Sequence, residues 1–209
     1  FNTKISSQIS PDNIEIVRDS YGVPHIYAST DAEVAYGFGW AQAEDNFKTI
    51  QQAYLAGNGL LSKLRGLKGA SADFLVQLIQ SEKIVNDQFH TLDPKFIELL
   101  YGFTGGLNAY ADKYPDEILE SSLFPITPKK LLRYTQLQLF ISNGAADLVG
   151  GIVADELSWP YEINQDTKGS NLLAVSRSKT GSDETLLAIN THQPLEGPTS
   201  WYEAHLISD

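Results

Sequence analysis

The chain has 209 residues, 42% of them apolar and 20% charged, with 15 Lys and Arg against 26 Asp and Glu for a formal net charge of −11; it can bury a real core in one domain or a little more. That acidic balance, with no long basic run, argues against nucleic acid and against an anionic membrane as partners. Cysteine is absent, which excludes disulfides and thiolate metal sites, and no stretch approaches the run of about 18 apolar residues that a membrane span needs.

At the start, Phe1-Asn2-Thr3-Lys4-Ile5 shows neither an initiator Met nor the apolar segment of a signal peptide, so any targeting segment is expected to have been removed. Ile14 to Arg18 and Pro24 to Ala28 read as two short strands around the turn Asp19-Ser20-Tyr21-Gly22. Thr30 then offers an N-cap with Glu33 three residues on, opening a helix that runs to about Gly57. Gly37 and Gly39 lie inside it; each costs roughly 0.5 to 1 kcal/mol against Ala there, so close backbone packing is expected around them. Glu44 and Asp45 read as a charged turn of a solvated helix. Calcium takes about six to eight oxygens and no acidic cluster of loop spacing accompanies this pair, so no metal is predicted.

Further helices are predicted over roughly Ser71 to His90, Asp93 to Tyr110 and Thr127 to Ser142, with prolines at 94, 115, 125 and 128 punctuating their ends. In the second of these, Phe96, Leu99, Leu100, Phe103 and Leu107 have the spacing of one buried face. The chain changes character after this helical region, taken as residues 1–153, and residues 154–169 lack any period and read as a linker. From Ser170 onward the pattern is three strands of one sheet, the last at about Trp201 to Ile207. Helices followed by strands make the fold class α+β.

The first two of those strands, Asn171 to Ser176 and Thr185 to Asn190, flank the polar loop 177–184 as a hairpin. A symmetric loop pairs residues whose numbers sum to roughly 361 and sets Ser170 opposite Thr191, one step from His192. Opposed Cβ atoms lie about 4.5 to 5.5 Å apart, so Ser170 and His192 become neighbours in space, with the register open by a residue either way.

Four segments now carry a resemblance: Arg18-Asp19-Ser20-Tyr21-Gly22-Val23-Pro24-His25-Ile26, Tyr36-Gly37-Phe38-Gly39-Trp40-Ala41-Gln42-Ala43-Glu44-Asp45, Gly169-Ser170-Asn171 and Trp201-Tyr202-Glu203-Ala204-His205-Leu206. In this order they resemble the penicillin acylase family of N-terminal-nucleophile hydrolases. The resemblance implies a precursor, or zymogen, that cuts itself between Gly169 and Ser170. The α region would then be 1–153, the spacer 154–169, and 170–209 the beginning of the β chain, with the first antiparallel strands of an αββα sandwich. It implies Ser170 as nucleophile and places His192 near it, as in the branch similar to cephalosporin, acyl-homoserine lactone and aculeacin acylases. Gln193 stands where those relatives more often have an apolar residue; with Trp201 and Tyr202 it is a candidate for the substrate pocket. His25 and His205 sit in the resembling segments without a deducible role and are read as structural.

The implied chemistry suits the residue types. Attack of the Ser170 hydroxyl on the Gly169 carbonyl gives an ester that water opens, and Gly169 leaves that carbonyl unshielded. The freed amine of Ser170, with an ordinary pKa of about 7.7 to 8.0, then serves as general base to its own hydroxyl. The resemblance further implies a small acylated amide as substrate, either a β-lactam antibiotic or an acyl-homoserine lactone signal, and the remainder of the β chain as partner. Oxyanion donors are expected beyond Asp209, which would leave this chain catalytically incomplete by itself. No cofactor is expected, although some relatives bind calcium, and the location is expected to be periplasmic or secreted. No Gly-x-Ser-x-Gly elbow favours a Ser-His-Asp hydrolase. The competing reading is a non-catalytic binding module in which Ser170 is incidental.

Overall fold

The computed structural model describes residues 9–144, 151, 170–191 and 196–209. The first hairpin forms as predicted: β1 (Glu15–Arg18) runs antiparallel to β2 (Pro24–Ala28), with Ile16 opposite Ile26. Its turn is closed by Asp19, whose Oδ1 accepts from the amides of Tyr21 at 2.8 Å and Val23 at 3.0 Å. Gly22 takes the positive φ of +84° that the turn requires.

Helix α1 (Asp31–Gly57) starts at Thr30, whose hydroxyl oxygen accepts from the Glu33 amide at 3.2 Å. The return half of the predicted capping box is replaced, because Glu33 receives the Thr30 hydroxyl at 3.0 Å and the amide of Ser10 at 3.4 Å. The helix is kinked at Asn46 (φ −156°, ψ 56°), and the Asn46 side chain re-caps the second half by accepting from the Thr49 amide at 3.3 Å.

The helix predicted over Ser71 to His90 is corrected to two, α3 (Ala70–Leu78) and α4 (Ser81–Gln88), divided by Gln80 in the left-handed region at φ +52°. The break turns Leu75 and Val76 onto Leu137 while the buried Ser81 hydroxyl donates to Gln136 at 2.6 Å, contacts one straight rod could not share. A short helix α2 (Leu61–Arg65) precedes them and went unread; Asp73, eleven residues beyond Ser62, accepts from the amides of Leu61 and Ser62 at 2.8 and 2.9 Å.

Helices α5 (Pro94–Lys113) and α6 (Pro128–Ser142) begin on the capping side chains of Asp93 and Thr127. Phe96, predicted in the buried face of α5, is 43% exposed. The rest of the predicted face holds, with Leu100 and Leu107 buried and Phe103 packed on the core, and Thr104, Tyr110, Ala111, Gly102 and Gly106 join it. At those glycines α5 lies against the backbone of Ala32 and Tyr36, while Gly39 lies against the Phe103 carbonyl. Two helices this close leave no room for a Cβ, which answers the expectation for Gly39. Gly37 likewise faces Ile26 and Ile14. The main core gathers Ala43, Phe47, Leu55, Leu107, Leu123 and Ile126 where α1 and α5 cross.

After the helices the chain forms β3 (Ser170–Val175), the turn α7 (Arg177–Thr180) and β4 (Leu186–Thr191), an antiparallel hairpin with Ser170 opposite Thr191 as predicted. The third strand is corrected in length and in place. β5 (His205–Ser208) does not join that hairpin; it lies parallel to β2, making a sheet of order β1-β2-β5. β1 occupies one edge of β2, so the other edge is open for pairing. Described in these terms the chain is α+β, largely helical with small sheets.

Candidate functional site

Ser170 is the first residue of β3, and the hairpin register pairs it with Thr191. The symmetric loop sets that register, and it is tied off by Thr180, whose hydroxyl reaches the carbonyls of Ser182 and Glu184 at 3.0 Å. Gly169, His192 and Gln193 lie outside the described residues. The hairpin shows apolar side chains on both faces: Leu172 and Leu173, neighbours that point opposite ways, are 67% and 63% exposed, and Leu186, Leu187 and Ile189 are similarly bare. An isolated two-stranded hairpin is marginal in water, so a surface this apolar is one built to be covered.

Trp201 and Tyr202, the other candidates for the substrate pocket, line a cavity of about 350 Å³ between α1, α6 and the segment 197–202. Phe38, Asn46, Tyr134 and Gln138 complete its walls. The Phe38 ring rests on Tyr202 at 5.7 Å, and the Tyr134 hydroxyl donates to the Pro198 carbonyl. Ser170 is not among the residues lining this cavity. The structure therefore brings two of the candidates together at one place and sets the nucleophile candidate on a separate element.

A third arrangement was not foreseen. Three of the four resembling segments meet at a polar joint centred on Arg18. Its guanidinium donates to Glu44 Oε2 at 2.8 Å, to Asp45 Oδ2 at 3.0 Å and to the Gly22 carbonyl at 2.9 Å. Asp45 also accepts the Tyr202 hydroxyl. On the far side of the same sheet neighbourhood, His25 Nδ1 and His205 Nδ1 are 3.0 Å apart, opposite one another in the β2–β5 ladder, and His25 Nε2 is 3.6 Å from Asp19.

The electrostatics follow from these contacts. Partial burial would lower the Arg18 pKa, but its bonds to Glu44 and Asp45 win and hold the guanidinium above its ordinary value. Desolvation works to raise Asp19, yet the amides of Tyr21 and Val23 and the His25 ring bring it below 3.8. Tyr202 is pushed up, first by burial and then by the neighbouring Asp45 carboxylate, so it stays a hydrogen-bond donor. Glu44 and Asp45 are thus engaged with Arg18 and Tyr202, and among the described residues no group of three His, Asp or Glu is arranged to hold a metal. The signal for the joint was in the sequence: all its members sit in the resembling segments, although nothing local says that Arg18, Asp45 and Tyr202 touch.

Penicillin G acylase of Escherichia coli is 25% identical over 196 residues, covering 91% of this chain and 22% of that protein. Acyl-homoserine lactone acylase PvdQ of Pseudomonas syringae pv. syringae (strain B728a) is 24% identical over 225 residues, covering 92% of this chain and 29% of that protein. The chain therefore spans less than a third of the length of these curated relatives. Among solved structures, a thermostable penicillin G acylase from Alcaligenes faecalis superposes with a TM-score of 0.51 at 19% identity, over 75% of this chain and 96% of that one, a likeness of fold. The family model described as penicillin amidase matches residues 13–209, so the chain belongs to the penicillin amidase family.

Proposed function

We propose that the chain is the N-terminal part of a self-processing acylase in which Ser170 is the nucleophile. The observation that carries the reading is the hairpin register, Ser170 opposite Thr191, which puts the head of β3 beside the strand end that leads into His192. The family membership supplies the reaction class, hydrolysis of a linear amide. In the precursor the Ser170 Oγ attacks the Gly169 carbonyl, the C–N bond breaks as an ester forms and the Ser170 nitrogen takes up a proton as a free amine, and water then opens the ester to the Gly169 carboxylate and the Ser170 hydroxyl. That amine, or a water held by it, then takes the proton from Oγ as the hydroxyl attacks the substrate amide. The acyl group passes to Ser170 and then to water, and the amine leaves with a proton. His192 polarises or orients the nucleophile.

In this reading residues 1–153 form the α region, 154–169 the spacer and 170–209 the opening of the β chain. The bare faces of the β3–β4 hairpin favour it, since the further length found in the relatives would cover them and bring the donors that stabilise the oxyanion. Trp201 and Tyr202 wall the substrate side, with Gln193 the third candidate there. Substrates are the kinds that the relatives' names carry, an acylated β-lactam or an acyl-homoserine lactone, and no residue present here separates the two.

Intact mass and N-terminal sequencing of the full-length gene product, beside its Ser170→Ala variant, test the proposal. A new chain starting at Ser170 in the wild type and an uncut variant are expected. A soluble, folded, uncut wild type would move the assignment to a non-catalytic binding module.

A further inference from the structure

The two imidazoles of the β2–β5 ladder meet through like atoms. His25 Nδ1 and His205 Nδ1 stand 3.0 Å apart, with the rings nearly perpendicular at 85° and their centroids 5.1 Å apart. A contact at that distance needs one N–H and one lone pair, so the number of protons on the pair decides whether it exists at all. In the neutral pair, Asp19 beside His25 Nε2 favours the proton there. His25 Nδ1 is then an acceptor and His205 Nδ1–H donates to it. One added proton is tolerated. His25 becomes imidazolium, which Asp19 stabilises, its Nδ1–H now donates, and His205 moves its own proton to Nε2 to accept. The second added proton leaves two N–H groups and two positive charges face to face, and the contact is lost.

We propose that His25 and His205 form a proton-operated latch that holds β5, and with it the segment following Ser170, on the N-terminal hairpin near neutral pH and releases it in acid. The latch closes a seam with few other ties. Beside the β2–β5 ladder itself, the ties of 196–209 to the rest among the described residues include Tyr202 on Asp45 and on the Phe38 ring, Ser208 on Asp31 at 2.6 Å and Tyr134 on Pro198. The charged and titratable groups on the elements around the pair include Glu15 and Arg18 on β1, Asp19 and Tyr21 in the turn, Tyr27 on β2, Asp31, Glu33, Glu44 and Asp45 on α1, and Tyr202 and Glu203 ahead of β5. Arg18 is held charged, Asp19 is held ionised and Tyr202 is held neutral. Carboxylates in general titrate near pH 4, which leaves imidazole as the side chain that changes charge between pH 5 and 8. The inference is independent of whether Ser170 is a nucleophile.

Hydrogen exchange of the β5 amides in the 209-residue chain, followed from pH 8 to pH 5 and corrected for intrinsic rates, reads the latch. Like charges this close repel, so a loss of β5 protection of about tenfold is expected at the acid end. His205→Gln, whose side-chain amide donates to His25 without charge, is expected to keep protection level over the same range. Because a variant can undock β5 outright, the wild type is also titrated by imidazole NMR: the second proton and the loss of β5 protection should come together. Both rings charged with β5 still protected, or an equal acid loss in a docked His205→Gln, would overturn the proposal.

Discussion

Tyr202 donates its hydroxyl to the carboxylate of Asp45, 157 positions earlier in the chain, and the same carboxylate is held by Arg18. Asp45 thus joins the strand hairpin at the start of the chain to the segment that walls the cavity. Tyr202→Phe removes the donor and leaves Asp45 paired with Arg18. Hydrogen bonds to charged groups contribute about 1.5 to 3 kcal/mol, and partial exposure places this one at the lower end. A loss of about 1 to 2 kcal/mol in urea unfolding is expected; an unchanged midpoint would show that Tyr202 is held by its ring contact with Phe38 alone.

Gly105 and Gly106 are adjacent in α5 and predict opposite outcomes for the same change. A methyl group at Gly106 would meet the Tyr36 carbonyl and the Trp40 amide, backbone atoms of α1 that cannot step aside. At Gly105 the nearest atoms belong to the Tyr36 ring at 3.2 Å, which can turn. Gly106→Ala is expected to destabilise by about 1 to 3 kcal/mol or more through overpacking. Gly105→Ala is expected to be neutral or stabilising by up to about 1 kcal/mol through helix propensity. Thermal unfolding of the two variants side by side separates the cases.

The depressed pKa of Asp19 gives a pH dependence with a definite sign. Its folded value lies below the ordinary 3.8, so its contribution is present above that value and is lost as pH falls through the folded pKa. Asp19→Asn keeps a side-chain oxygen for the Tyr21 and Val23 amides but no longer titrates. The acid limb of stability against pH, below about pH 4, should become shallower in the variant. Parallel limbs would show that the turn amides do not favour the ionised form.

The bare β3–β4 hairpin predicts uneven protection. Amides of Asn171 to Val175 should exchange within the fast class in the 209-residue chain, while those of α1 and α5 around Leu55 and Leu107, both fully buried, are protected close to global unfolding. In a product of the relatives' full length, the same hairpin amides should become protected. Hairpin amides as slow as those of α5 in the short chain would show that the hairpin is stable uncovered.

Much of this protein is local and was readable from order of residues alone. The first hairpin, the Thr30 cap and the span of α1 rest on strand, turn and capping residues close in sequence, and loop symmetry states the Ser170 to Thr191 register to within a residue. Other features depend on what arrives from far away. Phe96 repeats with Leu100 and Phe103 as a core position should, yet it lies six positions before Gly102, where α5 meets Ala32 at the start of α1, and is left exposed. Gln80 has no helix-breaking chemistry and takes a left-handed conformation because Leu75, Val76 and Ser81 all have partners on or near Leu137. β5 carries strand-like residues that fit either sheet, and the ties of Tyr202 to Asp45 and of Ser208 to Asp31 on α1 seat it beside β2. The meeting of Arg18 with Asp45 across 27 positions, of Asp45 with Tyr202 across 157 and of His25 with His205 across 180 is set by the packing of α1 and the parallel ladder, contacts for which a single sequence holds no local signal.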